Sequence, residues 1–94
     1  MSDIVVLYFW SPTCNPCKTI KPSIEQLKEE FEDVIPIQNW VAVNTHADTQ
    51  GYVERFKVSV VPTMVVLKGD LEVGRHSGSN VSLYYTIIRK AMKM

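Results

Sequence analysis

From Ile4 to Trp10 the chain is apolar without a break, and the run is rich in β-branched and aromatic side chains. Such a run predicts a strand buried on both faces, and so central in its sheet. Ser11-Pro12-Thr13 breaks it. Beyond the break, Cys17, Ile20, Ile24, Leu27 and Phe31 recur at spacings of three and four, while Lys18, Lys21, Glu25, Lys28 and Glu29 fall between them. That pattern draws one apolar and one charged face of a helix. Pro22 has no amide to give the Lys18 carbonyl, which predicts a kink in the helix.

Asp33-Val34-Ile35-Pro36 reads as a connection, and Trp40 to Val43 as a second apolar strand. Asp48 is placed to cap a short helix with Tyr52, Val53 and Phe56 on its inner face. Thr63 to Leu67 predicts a third strand, Gly69-Asp70 a tight hairpin turn, and the alternation from Leu71 to His76 an edge strand. Gly78-Ser79-Asn80 supplies a break and a cap before a last helix lined by Leu83, Tyr84, Ile87, Ile88 and Ala91. Arg89, Lys90 and Lys93 stand where cations suit its dipole. The predicted order is β-α-β-α-β-β-α. A first βαβ unit makes a parallel pair and the later hairpin adds antiparallel neighbours, giving an α/β sandwich on a mixed four-stranded sheet.

Length and charge narrow the classes. Ninety-four residues predict a single domain, residues 1–94, and 46% hydrophobic residues are a globular composition. Ten basic and ten acidic residues cancel, so no basic stripe points to nucleic acid. No apolar run approaches a membrane span. The start, Met1-Ser2-Asp3, is acidic where a secretory leader is positive. The expectation is a monomer in the reducing cytoplasm, where structural disulfides are rare.

In that setting Cys14-Asn15-Pro16-Cys17 carries chemistry. Two cysteines so spaced can close a disulfide with little backbone movement. At a helix N-terminus, free amides and the positive dipole end favour the nucleophilic thiolate. Pro16 in the first turn costs nothing, since its missing amide would have been unpaired. Cys17 belongs to the inward helical face and Cys14 to the exposed mouth. The roles follow: Cys14 attacks a substrate disulfide, and Cys17 resolves the mixed disulfide. Three plainer readings compete. A structural disulfide would close too short a loop to constrain the unfolded chain much. A zinc site would need two more ligands, and His46 and His76 lack the spacing. A pair of inert buried cysteines sits poorly with the surface turn that Pro12, Thr13 and Asn15 predict.

Phe9-Trp10, three residues, then Cys14-Asn15-Pro16-Cys17-Lys18 resembles the thioredoxin active-site stretch, Phe-Trp-x-x-x-Cys-Gly-Pro-Cys-Lys. Pro22 matches the proline of that family's active-site helix, Val61-Pro62-Thr63 its second signature, and Gly78 the glycine ending its fourth strand. The resemblance spans essentially the whole chain, without the strand and helix that open longer thioredoxins. It implies the thioredoxin fold, a three-layer α/β/α sandwich, and a protein-disulfide reductase with no cofactor or metal beyond its own disulfide. It also implies that Pro62 is cis, that the Val61 backbone pairs with an extended substrate segment, and that Trp10, packed beneath the active-site loop, lies with Thr13 and Gly78 on the substrate side. Partners so implied are protein disulfides and a thioredoxin reductase or similar electron donor.

Departures accompany the match. Where thioredoxins hold a buried aspartate under the second cysteine, this chain has Tyr8, whose phenol is a poor base near neutrality. The lysine that often pairs with that aspartate aligns with Val43. Asn-Pro replaces Gly-Pro between the cysteines, and Thr13 stands where Trp or Tyr is usual. Two other functions remain in play. A glutaredoxin-like enzyme using glutathione typically reads Thr-Val-Pro, against Val60-Val61-Pro62 here. A structural or binding subunit on the same fold would fit the missing acid but not the intact cysteines.

Overall fold

In the computed structural model, which describes residues 3–94, a four-stranded sheet has the order β2-β1-β3-β4. Met1 and Ser2, part of the acidic start, lie outside the described residues. The strands are β1 (Ile4–Trp10), β2 (Trp40–Asn44), β3 (Thr63–Lys68) and β4 (Leu71–Ser77). The helices are α1 (Asn15–Glu30), α2 (Tyr52–Arg55) and α3 (Val81–Met92). The chain has the thioredoxin fold that the resemblance implied. β1 pairs parallel with β2 across the α1 crossover and antiparallel with β3, which pairs antiparallel with β4.

Strict alternation along β1 sorts the layers. Ile4 and Val6 join Ile20, Ile24 and Leu27 of α1 and Tyr84, Ile88 and Ala91 of α3 in one cluster. Leu7 and Phe9 point the other way, to Val43, Val58 and Val65, with Tyr52, Val53 and Phe56 packed on them. An unbroken apolar strand is what two covered faces require.

Local chemistry places the helices. α1 stays helical across Pro22. Before α2, Gly51 takes a left-handed φ of 71° and has no side chain to cap with. Asp48 does the capping from further back, accepting from the amides of Tyr52 at 3.1 Å and Val53 at 2.8 Å. Asn80 accepts from Ser82 N–H to start α3. A bulge at Val73 shifts the β3–β4 register, so that Val66 faces Gly74 and Leu67 faces Glu72. Gly74 lets α3 approach closely: a Cβ there would stand 3.2 Å from Ile87 Cγ2.

One expectation needs correction. Leu83, assigned to the inner face of α3, is 41% exposed. Apolarity alone could not tell a helix flank from its buried stripe. A short 3-10 turn, Ile37–Asn39, also precedes β2, and Asn39 Nδ2 donates to the Ile4 carbonyl at 3.0 Å.

Candidate active site

β1 ends where β3 begins, because the two run antiparallel with Phe9 opposite Thr63. β4 ends there too, with Ser77 opposite Thr63. Three stretches distant in sequence therefore meet at one end of the sheet: the loop after Trp10, the Val61-Pro62 link and Gly78. The loop needs few residues to reach α1. Cys14 N–H donates to Ser11 C=O at 3.2 Å, and Ser11, buried, lies 3.4 Å from the Thr13 hydroxyl.

Cys14 is the N-cap of α1, and it forms a disulfide with Cys17 across a Cα–Cα separation of 5.2 Å. Its sulfur accepts from the Cys17 amide at 3.1 Å. That amide is one of the donors a helix leaves unpaired in its first turn. No acidic side chain occupies that turn to neutralise the dipole. A thiolate on Cys14 inherits both effects, which is how a helix start lowers a thiol's cost of ionising.

Burial corrects one detail. Cys14, expected at an exposed mouth, is 8% exposed, and Cys17 is 5% exposed. The capping geometry turns the first sulfur inward over the helix amides. The difference in exposure between the two cysteines is therefore small.

Across the end of the sheet, the Val61–Pro62 bond is cis. Pro62 C=O accepts from Gly78 N–H at 2.9 Å, and Gly78 takes a φ of 113° that favours glycine. The buried Thr63 hydroxyl donates to Val60 C=O at 2.7 Å and lies 2.7 Å from the Ser77 hydroxyl. Tyr84 adds a bond that the sequence reading missed: its phenol donates to Gly78 C=O. Burial, and then repulsion from Tyr8, raises the Tyr84 pKa above its ordinary value. The phenol therefore stays a donor. Sequence periodicity marked Tyr84 as core, which it is, and gave no signal for its hydroxyl. Among the described residues the Val61 backbone N–H and C=O have no partner.

Tyr8 and Trp10 share a groove with Cys17. Burial pushes the Tyr8 phenol up to about 12, and its hydroxyl, cut off from water, has no hydrogen-bond partner among the described residues. The residue beside Tyr8 on β2 is Ala42, not Val43, because parallel pairing sets Tyr8 opposite Ala42 and turns Val43 to the other face. Val43 therefore lies on the wrong side of the sheet to stand beside Tyr8. His46 is exposed, and His76 packs edge-on to Tyr84 at 5.4 Å. Among the described residues no three His, Cys, Asp or Glu side chains gather as metal ligands do, and no helix is long and apolar enough to cross a membrane.

A mixed sheet between two helix layers, with a Cys-x-x-Cys disulfide opening the first helix, defines a class of α/β redox-site proteins. Comparison makes it specific. The thioredoxin family profile matches residues 1–89. Thioredoxin of Bacillus subtilis is 37% identical over 65 residues, covering 69% of this chain and 59% of that one. Spinach chloroplast thioredoxin f, solved by crystallography, superposes with a TM-score of 0.84 at 28% identity over 97% of this chain and 72% of that one. The crystal structure of ferredoxin:thioredoxin reductase with thioredoxin f2 contains a chain that superposes with a TM-score of 0.83 at 25% identity, over 97% of this chain and 79% of that one. The chain belongs to the thioredoxin family. It spans about three fifths of the length of the curated relatives it matches.

Proposed function

We propose that the protein is a thiol–disulfide oxidoreductase that reduces protein disulfides through Cys14 and Cys17. The observation that carries this reading is the Cys14–Cys17 disulfide at the N-terminus of α1, with the first sulfur on a helix amide. In the reduced protein the Cys14 thiolate attacks one sulfur of a substrate disulfide. The substrate S–S bond breaks, its second sulfur leaves as a thiolate and takes a proton, and a mixed disulfide remains. Cys17 then loses its proton and attacks the Cys14 sulfur, releasing the other substrate thiolate. Two electrons and two protons pass to the substrate, and the protein is left in the disulfide form.

The open Val61 backbone, at the same end of the sheet, suits an extended substrate segment lying along it. Trp10, Thr13, Pro62 and Gly78 form the rest of that surface, with Asn15 and Pro16 shaping the loop between the sulfurs. A reductase returns the electrons; a structurally similar chain in complex with ferredoxin:thioredoxin reductase supports that kind of donor. The protein acts as a monomer in the cytoplasm, where the surroundings keep such a pair cycling.

Insulin reduction driven by dithiothreitol tests the reading. The wild type should speed precipitation of the insulin B chain, and Cys14→Ser should fall to background. Equal rates for the two proteins would refute it. Turnover of a small mixed disulfide with glutathione, if faster than insulin reduction, would assign the glutaredoxin-like chemistry instead.

A further inference from the structure

On the α1 side of the sheet a groove of about 290 Å³ opens between α1 and the outer strand β2. Its walls are the rings of Tyr8 and Trp10 with Pro12, Ile24 and Ala42. Lys18 and Lys21, both exposed, stand at its rim. We propose that this groove, which shares Trp10 and Cys17 with the redox site, binds a small aromatic anion, a one- or two-ring carboxylate or sulfonate.

Size comes first. The volume sits at the lower end of what small-molecule sites occupy, roughly 300–1,000 Å³. One or two fused rings suit it better than an acyl chain. The walls are mostly apolar and include two aromatic faces, which favour a flat partner through offset or edge-on ring contacts. Charge then selects the sign. Lys28 is held by Glu25 at 3.4 Å, whereas among the described residues neither Lys18 nor Lys21 has a carboxylate partner. Two uncompensated ammonium groups above an apolar slot complement a ligand with a flat body and one negative end. The Tyr8 hydroxyl itself is closed off from the groove, so the wall offers its ring and not a hydrogen-bonding group.

Nothing in this binding requires thiol exchange. It can therefore fail while the oxidoreductase reading stands, or hold if that reading falls. The test uses the oxidised full chain, 1-naphthalenesulfonate as probe, and amide chemical shifts as the readout. Expected is saturable one-to-one binding, with the largest shifts at Tyr8, Trp10, Ile24 and Ala42. The neutral 2-naphthalenemethanol should bind roughly tenfold more weakly, as one lost charge contact implies. Lys21→Glu, on the exposed rim, should weaken the sulfonate by a similar factor, and Ala42→Phe should block the slot. Shifts centred on Val60 to Pro62 would overturn the proposal, as would equal affinity of Lys21→Glu and wild type. Decanoate binding as tightly as the sulfonate would overturn the aromatic assignment.

Discussion

On the face covered by α1 and α3, thirteen buried residues pack together among the described residues, and the same layer carries the disulfide, the groove and the orphaned Tyr8 hydroxyl. Among the described residues the face covered by α2 holds five, under a helix of four residues whose first amides are answered by Asp48. The larger layer is the less finished one. A redox pair needs a helix long enough to present a dipole and a first turn with free amides, and α1 provides both. That helix also has to stop short of closing over the sulfurs, which leaves Tyr8 and Trp10 beside an open groove. The smaller layer has no chemistry to accommodate, so it can close completely around Phe9 and Val65, both fully buried. Arg55 lies over the Tyr52 and Phe56 rings at 5.0 and 5.1 Å, finishing that side with cation–π contacts.

If the two layers differ in this way, the largest effect on stability should come from the small one. Phe9→Ala should cost about 3–5 kcal/mol, enough to unfold much of a domain of this size. Urea denaturation measures it, and a loss near 1 kcal/mol would mean that the layer re-collapses around the cavity. Cys17→Ser should do the reverse: change melting modestly and stop turnover, leaving substrates trapped on Cys14 as mixed disulfides. Mass spectrometry after incubation with an oxidised protein substrate detects those adducts, and their absence would remove Cys17 from the resolving role.

Smaller effects follow at the edges of each layer. Asp48→Ala removes the acceptor for two amides and should cost about 0.5–2 kcal/mol, read as a shift in urea midpoint; it should leave insulin reduction by the folded protein unchanged. Tyr8→Phe should change stability least at neutral pH, since it deletes a hydroxyl that has no partner. Its signature lies at alkaline pH. Unfolded tyrosines ionise near 10, whereas Tyr8 in the fold holds its proton to about 12. Between those values the folded chain binds more protons than the unfolded one, so stability falls as pH rises. The wild type should therefore lose more stability than Tyr8→Phe between pH 9 and 11. Parallel curves would show that Tyr8 ionises as freely in the fold as in the unfolded chain.

Much of this was legible in the residue order. The unbroken run from Ile4 to Trp10 marked the central strand, three- and four-residue spacing marked α1, and Gly69-Asp70 marked the hairpin turn, at which Gly69 takes a φ of 61°. These are local signals, and local backbone preference suffices to read them. The cysteine pair was equally plain, because both sulfurs and the helix start lie within one short stretch of chain.

What the sequence could not supply were relations across space. Strand register placed Ala42 beside Tyr8 and sent Val43 to the opposite face, a distinction that turns on a one-residue slip no local pattern resolves. Packing of α3 left Leu83 exposed and brought the Tyr84 phenol to Gly78 C=O. The capping turn of Cys14 drew in a sulfur that spacing alone had put at the mouth. Antiparallel pairing gathered Val61, Pro62 and Gly78 at the end of β1. Periodicity reports which face of an element is apolar; which partner meets that face is decided only when the sheet closes and buried polar groups have to find one another.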